Sequence, residues 1–523
     1  MKKIPLIFAA LTFAAVAGAQ SRPDLVARIH FAGADQISAD PNHFAFTNEF
    51  CSAEARALES QTLDKLSRVP GMWFKSRIVT GAGDGAAQLR PLLDDLLKSE
   101  WLFEMRDTTN GSPEYALAIR LNTERSELWN TNLESLLQRW TGVGTFADRS
   151  GNWTVMKHEP PNLFQFRRDG DWVVIDCGQD KLSLGGEMLQ GAAVKNGWLS
   201  VDANWPRLAQ LFPVLREFDF PKIQMQAVGH DRNLQLTGKL TLTQALPPLE
   251  KWRVPTSTIH QPLVSFTAAR GAGPWLAKQS WMQPLVIQPQ PDQLFIWALG
   301  RIPFMTFAAE PMPDAKAALA RLYQRLSADT NWRRNFIGPF TMTNANDEIS
   351  WRGMPFIMPF VRAVREPAGD FLVGGFFPNP SKAPPPPPEL LAPLNQPGLV
   401  YYHWEVTAER LQELPQFSQL MFTLTHHHQV DYVSTAGKWL NRVGPSLGST
   451  VTEVTQTAPN ELAFKRTAPG GLTAIELLAF VNWLEVPGFP AFDLRLLPPR
   501  IRPGQKPFNM LSTPPSVPVM PHP

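Results

Sequence analysis

The chain has 523 residues, of which 44% are hydrophobic and 18% are charged, a balance typical of a packed globular protein and not of a disordered one. Its 49 lysines and arginines nearly equal its 47 aspartates and glutamates, and neither sign forms a run. This excludes the clustered basic surface that nucleic-acid binding requires, and the length predicts two or three domains.

Residues 1–19 have the three parts of a secretory signal peptide. Lys2 and Lys3 form a basic start, an apolar run extends over 4–16, and small residues lead to a cleavage position after Ala19. The run is too short to span a hydrocarbon core about 30 Å thick, and no later segment reaches the length of a membrane span. No cysteine follows the cleavage position, which argues against a lipid anchor. We expect an exported protein, periplasmic or extracellular, that is soluble after signal cleavage.

Cys51 and Cys177 are the only two cysteines. In an oxidising compartment two cysteines can pair, and closing so long a loop would stabilise the fold by about 4–5 kcal/mol on the chain-entropy model. The alternative is two separately buried thiols that act as small hydrophobic residues. The sequence leaves the candidate disulfide and this alternative open.

Three segments open with a Leu-Val pair and align without a gap over thirteen residues, beginning at Leu25, Leu263 and Leu399. The eighth residue after each leucine is a glycine or a threonine. This pattern predicts a buried strand followed by a turn that opens a helix. A second match links Glu348–Arg352 with Glu461–Lys465. Together the matches predict divergent repeats of one α+β unit.

Helical and hairpin patterns lie within these repeats. Leucines and tryptophans at helical spacing predict helices over 89–101 and 128–140, with Gly142 ending the second, and Asp314 is expected to cap a third. Residues 164–177 predict a hairpin with an Asp-Gly turn. One-sided strands of this kind are typical of antiparallel sheets. We therefore predict an α+β fold of mostly antiparallel sheet, with helices packed on one face.

Proline is the compositional outlier, with 50 residues, about twice the average usage of ~5%. Five consecutive prolines over 384–388 predict an extended polyproline spacer. The predicted organisation is a signal peptide (1–19), an expanded first repeat (20–250), a second repeat (251–380), a proline-rich linker (381–397), a third repeat (398–486) and a proline-rich tail (487–523).

Two glycine motifs are candidates for sites of chemistry. Gly444–Gly448 matches the G-x-S-x-G pattern around Ser446, but a hydrolase needs a strand before the serine and a helix after it, and here a helix is predicted before and a strand after. Gly81, Gly83 and Gly85 lie between a strand-like segment and a helix. Their spacing is one residue short of a dinucleotide fingerprint, so we predict a flexible loop.

His426, His427 and His428, followed by Asp431, form the densest cluster of potential metal ligands. Consecutive residues of a strand point to alternate faces, so His426 and His428 are the two candidates that could share one ion. The alternative, a solvated strand or turn, is favoured because metal sites usually gather ligands from separated positions.

The 17 tryptophans raise the hypothesis of a carbohydrate or polymer surface, since indole rings stack on sugars. They are spread along the chain, and several fall on apolar stripes, which favours core packing. Asp94 and Asp95 are adjacent carboxylates on a helix, and we expect both to lie on its solvated face.

No motif in the sequence indicates catalysis, and no cofactor is expected. The leading hypothesis is a non-catalytic binding or scaffolding protein of the periplasm or cell envelope, because repeated folds extend a surface and no copy carries a reactive group of residues. Its partner would be an envelope protein or polymer, not nucleic acid. The alternatives are an envelope hydrolase or metal-dependent enzyme with an unfamiliar site, and a carbohydrate- or polymer-binding protein.

Overall fold

The computed structural model describes most of the chain between residues 25 and 490. The described ranges are 25–73, 85–107, 113–148, 151–158, 161–178, 184–190, 197–212, 215–216, 220–271, 273, 292–300, 305–328, 341–353, 357–377, 383–413, 433–486 and 489–490. The predicted signal peptide with Ala19 and nearly all of the proline-rich tail lie outside these residues.

Twenty strands and eleven α-helices lie wholly within the described residues, and a further helix begins at residue 407. The strands are β1 (Leu25–Phe31), β2 (Trp101–Arg106), β3 (Glu114–Arg120), β4 (Phe146–Ala147), β5 (Trp153–His158), β6 (Pro161–Asp169), β7 (Trp172–Gly178), β8 (Leu199–Asn204), β9 (Lys222–His230), β10 (Asn233–Thr241), β11 (Leu263–Arg270), β12 (Gln293–Leu299), β13 (Thr306–Met312), β14 (Thr341–Ala345), β15 (Glu348–Arg352), β16 (Phe360–Glu366), β17 (Gly369–Gly375), β18 (Leu399–Val406), β19 (Ser449–Ala458) and β20 (Glu461–Ala468). The helices are α1 (Ala34–Ala39), α2 (Phe44–Phe50), α3 (Ala53–Trp73), α4 (Ala86–Lys98), α5 (Thr123–Thr141), α6 (Leu184–Gln190), α7 (Trp205–Leu211), α8 (Ala315–Ala328), α9 (Pro388–Leu391), α10 (Thr435–Val443) and α11 (Ala474–Glu485).

All twenty strands belong to one continuous sheet, and every pairing between neighbours is antiparallel. From one edge to the other the order is β4, β5, β6, β7, β3, β2, β1, β8, β9, β10, β20, β19, β18, β11, β12, β13, β17, β16, β15 and β14. The predicted α+β class with a mostly antiparallel sheet is confirmed.

The pairing pattern of β1–β10 recurs in β11–β20. Each pair in the first ten strands has a counterpart whose strand numbers are higher by ten: β1 pairs with β2 and β8, and β11 pairs with β12 and β18. The two sets, which we call the first and second halves, meet at β10 and β20. We call this meeting line the joint.

The three Leu-Val pairs all begin strands, namely β1, β11 and β18. In each strand the pairing register shifts between the leucine and the residue two positions later, which is the signature of a β-bulge at the valine. A helix follows β1 after Gly33, and another begins at residue 407 after β18. The segment after β11 is described only as far as residue 273.

The sequence matches do not all fall on equivalent positions. Leu25 and Leu263 begin corresponding strands, whereas Leu399 begins β18, the counterpart of β8. Glu348–Arg352 is β15, near one edge of the sheet, and Glu461–Lys465 lies in β20, at the joint. The pairings thus divide the chain into two halves near residue 250, and the predicted linker over 381–397 falls inside the second half.

Two large apolar clusters hold the first half and the joint. The sheet of the first half packs against α4 and α5, with Trp101, Trp129 and Phe166 buried between them. Helix α3, from the predicted first domain, shares a second cluster with α10 and α11. The predicted domains 20–250 and 398–486 therefore have this core in common, because α3 reaches across the joint.

In the second half, the proline-rich linker packs on the sheet. An aromatic cluster that includes Phe266 and Trp297 also holds Leu394 of the linker, which is buried. Pro384 O accepts a hydrogen bond from Gln261 N (2.9 Å), and Pro388 begins α9. The prediction of an extended spacer over 384–388 is wrong at its last residue, where a helix begins. The leucines that follow the prolines pack against the apolar cluster of the second half, and this packing favours the helix.

Most predicted elements are found, with shifted ends. Gly142 ends α5 in a left-handed conformation, and the Asp314 carboxylate accepts from Ala317 N at the start of α8 (2.9 Å). Trp101, predicted as the end of a helix, lies in β2, because α4 ends at Lys98. Two short helices, α6 and α9, pack on the sheet face opposite the larger helices, so helices do not cover one face alone.

Candidate functional site

Several of the sequence's candidate residues lie outside the described residues, including His426, His428 and the first two glycines of the G-x-G-x-G segment. Gly85, the third glycine, precedes α4 with a φ of 76°, a conformation that favours glycine. Within the described ranges, no group of three or more His, Cys, Asp or Glu side chains is placed to hold a metal ion. The candidate metal site at His426 and His428 stays a prediction.

Ser446 lies in a helix-to-strand turn. The 3-10 turn Gly444–Ser446 follows α10 directly and precedes β19, and the serine Oγ donates to Val443 O (2.7 Å). This order is the reverse of the strand–turn–helix arrangement that lifts a nucleophilic serine over an oxyanion hole. The structure thus agrees with the helix and strand predicted around this motif.

Cys51 and Cys177 are both free thiols. Cys51 follows α2, which packs against β9 and β10, whereas Cys177 lies in β7. Five strand spacings separate β7 from β9 in the sheet, roughly 24 Å, and a disulfide needs Cα atoms within about 7 Å. The fold therefore does not support the candidate disulfide, and burial raises the pKa of Cys177.

Asp95 is not on a solvated helix face, contrary to the prediction. It is 7% exposed, and its carboxylate accepts hydrogen bonds from Arg125 Nε, Arg125 Nη2 and Trp129 Nε1, all within 3.0 Å. Asp94 pairs with Arg90 on the same helix and is partly exposed. The carboxylate of Asp95 faces α5, because a different face of α4 packs against the sheet. Asp95 and Arg125 therefore form a structural ion pair, and Asp94 and Asp95 do not act together as an acid–base site.

A pocket of about 360 Å³ opens at one end of the joint. It is lined by Phe44, Glu49, Arg232, Asn233, Ser446, Gly448, Ser449 and Pro469. These residues come from α2, from the turn and first residue of β10, from the segment that leads into β19, and from the end of β20. We call this cavity the joint pocket, because both halves contribute to its wall.

Glu49 is the buried acid of the joint pocket. It is 3% exposed, and no described residue donates a hydrogen bond to its carboxylate. Burial raises the pKa of this group to about 8, since the charged form loses water without gaining a partner. Gly470 allows the carboxylate its position: a Cβ there would lie 2.5 Å from Glu49 Oε2.

The backbone of Glu49 is held firmly although its side chain is unpaired. Trp439 Nε1, in α10, donates to Glu49 O (2.9 Å), and the ring of Trp439 stacks on Phe50 with centroids 6.1 Å apart. Helix α2 of the first half is thereby fixed to a helix of the second. The acid is positioned by these contacts and not by any partner of its own.

Arg232, an exposed residue, supplies the opposite charge. Its guanidinium lies over the ring of Phe44, 5.1 Å from the centroid, a cation–π contact. It forms no ion pair with any described carboxylate, and it does not lower the pKa of Glu49, which burial alone shifts. The joint pocket therefore holds one acid and one base that do not neutralise each other, which is the kind of site that binds a charged ligand.

A second polar network crosses β11 and β18. Thr267 Oγ1 lies 2.8 Å from His403 Nδ1, and His403 Nε2 lies 3.4 Å from Glu405 Oε2. Glu405 also accepts from Thr407 Oγ1 (3.0 Å) and from Ala474 N (2.7 Å), the first residue of α11. The residue types resemble a hydrolase relay, but Glu405 is 2% exposed and its bonds tie β18 to the start of α11.

Sequence reasoning missed Glu49, Arg232 and this network. Glu49 is the single acidic residue in α2, a helix with three phenylalanines, but Phe44 and Phe50 are exposed, so this pattern does not mark Glu49 as buried. Arg232 follows Asp231, which has a positive φ in a two-residue turn. Nothing in the sequence places the two together, because they lie far apart in the chain and meet only at the joint.

No helix within the described ranges is long and apolar enough to cross a membrane. Of the four tryptophans predicted to be core residues, Trp101, Trp129 and Trp351 are each at most 9% exposed, and Trp140 is half-buried against the same core. Their positions favour core packing over a sugar-stacking surface at those residues.

Comparison with protein-family models finds no match to this chain, and no curated protein matches it. Among solved structures, the di-domain ARO/CYC StfQ from the steffimycin biosynthetic pathway matches over 56% of this chain and 73% of its own, at 10% sequence identity. The TM-score of this pair is 0.07, so the match indicates neither a shared fold nor a shared activity.

Proposed function

We propose that this chain is a non-catalytic, exported binding protein of the periplasm or cell envelope, and that its ligand binds in the joint pocket. One observation carries the proposal: Glu49 and Arg232 line a single cavity, and neither has a charged partner among the described residues. A buried carboxyl without hydrogen bonds costs stability. A folded protein most readily retains such an unpaired group where a bound ligand offsets the loss of stability.

The location of the pocket supports binding in place of pure scaffolding. Its wall comes from α2 of the first half and from residues next to β19 and β20 of the second. The recurring pairing pattern supports the further proposal that the two halves are divergent repeats of one unit. A duplicated fold then creates a cavity at the joint that neither half has alone.

Export is tested by fusing residues 1–19 to alkaline phosphatase, which is active only where its disulfides form. We expect activity with the native segment and none when Lys2 and Lys3 are both replaced by glutamate. Activity of neither fusion would contradict export.

Binding is tested by native mass spectrometry of the protein recovered from the envelope fraction. The expected result is a small adduct on the native chain that is lost from Glu49→Gln and retained by Glu389→Gln, a matched control at an exposed glutamate. A native chain with the mass of the mature polypeptide alone, without any adduct, would contradict the proposed function.

A further inference from the structure

The charge arrangement of the joint pocket limits what can bind there. A purely anionic ligand could pair with Arg232 but would leave the buried Glu49 carboxyl without a partner of opposite charge. A purely cationic ligand would satisfy Glu49 and approach the Arg232 guanidinium. A ligand with one charge of each sign gives both residues a partner of opposite charge at once, and the pairing is weakly screened at Glu49, which is buried, although Arg232 is exposed.

We propose that the joint pocket binds a small zwitterion that carries a primary ammonium and a carboxylate, such as a free α-amino acid, with the ammonium at Glu49 and the carboxylate at Arg232. This inference rests on the proposed function, since it names the ligand of the same site. Guanidinium binds carboxylate through two parallel hydrogen bonds, and an ammonium donates three.

The size and wall of the pocket agree with a ligand of this class. A volume of about 360 Å³ is near the lower end of the range for small-molecule sites. Asn233, Ser446 and Ser449 line it with an amide and two hydroxyls, and Phe44 and Pro469 add apolar surface. A small molecule with two charged ends and a short side chain uses all of these groups.

Binding of an ammonium requires a change in the protonation of Glu49. In the empty pocket the pKa of Glu49 is about 8, so at pH 7 most molecules carry the neutral acid. Pairing with an ammonium requires the carboxylate, and binding at pH 7 therefore releases a proton to the buffer. Of the other residues that line the pocket, Arg232 alone is charged, and it stays charged throughout.

The test is isothermal titration calorimetry of the mature chain with the common L-α-amino acids at pH 7, in two buffers of different ionisation enthalpy. We expect at least one amino acid to bind, with the difference between the buffers reporting proton release. Affinity should rise roughly 50-fold from pH 6 to pH 8, following the ionised fraction of a group with this pKa. Methylamine and acetate, each carrying half of the charge pattern, should bind at least tenfold more weakly.

Variants assign the two ends of the ligand. Glu49→Gln keeps the shape of the neutral acid, so it should fold normally and lose at least tenfold in affinity together with the proton release. Arg232→Gln should lose affinity and keep the proton release. Arg365→Gln, at an arginine whose side chain is 91% exposed near an edge of the sheet, is the control and should bind like the native chain.

The outcomes separate this inference from the proposed function. If no amino acid binds but the envelope-purified chain carries another adduct that requires Glu49, the ligand class is wrong and the binding function stands. If methylamine binds as tightly as any amino acid, the role of Arg232 is wrong and the zwitterion is overturned. If there is neither binding nor adduct, both proposals fall.

Discussion

Asp94 and Asp95 allow a prediction with an internal control, because two adjacent aspartates on α4 have opposite environments. Replacing Asp95 with alanine leaves the Nε1 of Trp129, a residue 2% exposed, without an acceptor and removes the partner of Arg125. An orphaned buried donor costs about 1–3 kcal/mol, and breaking a buried ion pair costs about 3–5 kcal/mol. The Arg125 side chain is about one-third exposed, which reduces the second figure, so we expect a total loss of about 3 kcal/mol.

Replacing Asp94 with alanine removes an (i, i+4) pair with Arg90 at the surface, worth about 0.3–0.5 kcal/mol. The gain in helix propensity from aspartate to alanine is the same at both positions and cancels in the comparison. The assay is urea denaturation at pH 7, followed by tryptophan fluorescence. If Asp95→Ala lowers the free energy of unfolding no more than Asp94→Ala does, the buried network is not a stabilising one and the argument is refuted.

Three further predictions concern pH and backbone strain. Burial raises the pKa of Glu405, but the adjacent His403 imidazole and hydrogen bonds from Ala474 N and Thr407 together hold it below the ordinary value. The stabilisation from Glu405 is therefore present above about pH 4.5 and lost as the pH falls further, and an acid titration of Glu405→Gln should lack this step. The pKa of Glu49 is raised to about 8, so the native state loses stability as the pH rises from about 4.5 to 8. The thermal unfolding temperature of Glu49→Gln should therefore depend less on pH over that range, and the same pH dependence as in the native chain would contradict the burial of this carboxyl. Gly33→Ala should destabilise the protein by about 2 kcal/mol or more through backbone strain and a clash, since the added Cβ would lie 2.4 Å from Lys98 O. Gly142→Ala, also at positive φ but with nothing within 4 Å of the added Cβ, should cost only about 1–2 kcal/mol. Equal losses of stability in chemical denaturation would show that the clash at Gly33 is relieved.

Much of the secondary structure could be predicted from local pattern. The stripe that ends at Gly142 and the cap at Asp314 are local signals, and local signals fix where helices begin and end. The Leu-Val pairs correctly predicted the starts of three strands, and in each of these strands the valine occupies the same bulged position. The error at Trp101 has a local cause as well, since an apolar residue just past a helix matches both periods.

The candidate site could not be predicted in this way. Glu49 and Arg232 belong to elements separated by most of the first half, and a sequence pattern does not specify which helix will cover which strand end. Asp95 shows the same limit at short range. Its neighbour Asp94 has the same side chain and the same helix, and only the position of α5 decides which of the two is buried.

The sequence by itself determined the class of fold, the strands that begin at Leu25, Leu263 and Leu399, and the turn that holds Ser446, because hydrophobic period, caps and turns act over a few residues. The tertiary structure alone decided that ten strands and their ten counterparts join through β10 and β20, and that α2 closes a pocket over the joint. The physical reason is that strand pairing and burial depend on contacts between distant segments. The carboxyl of Glu49 has a raised pKa because residues of both halves surround it, and that environment forms only when the two halves pack together.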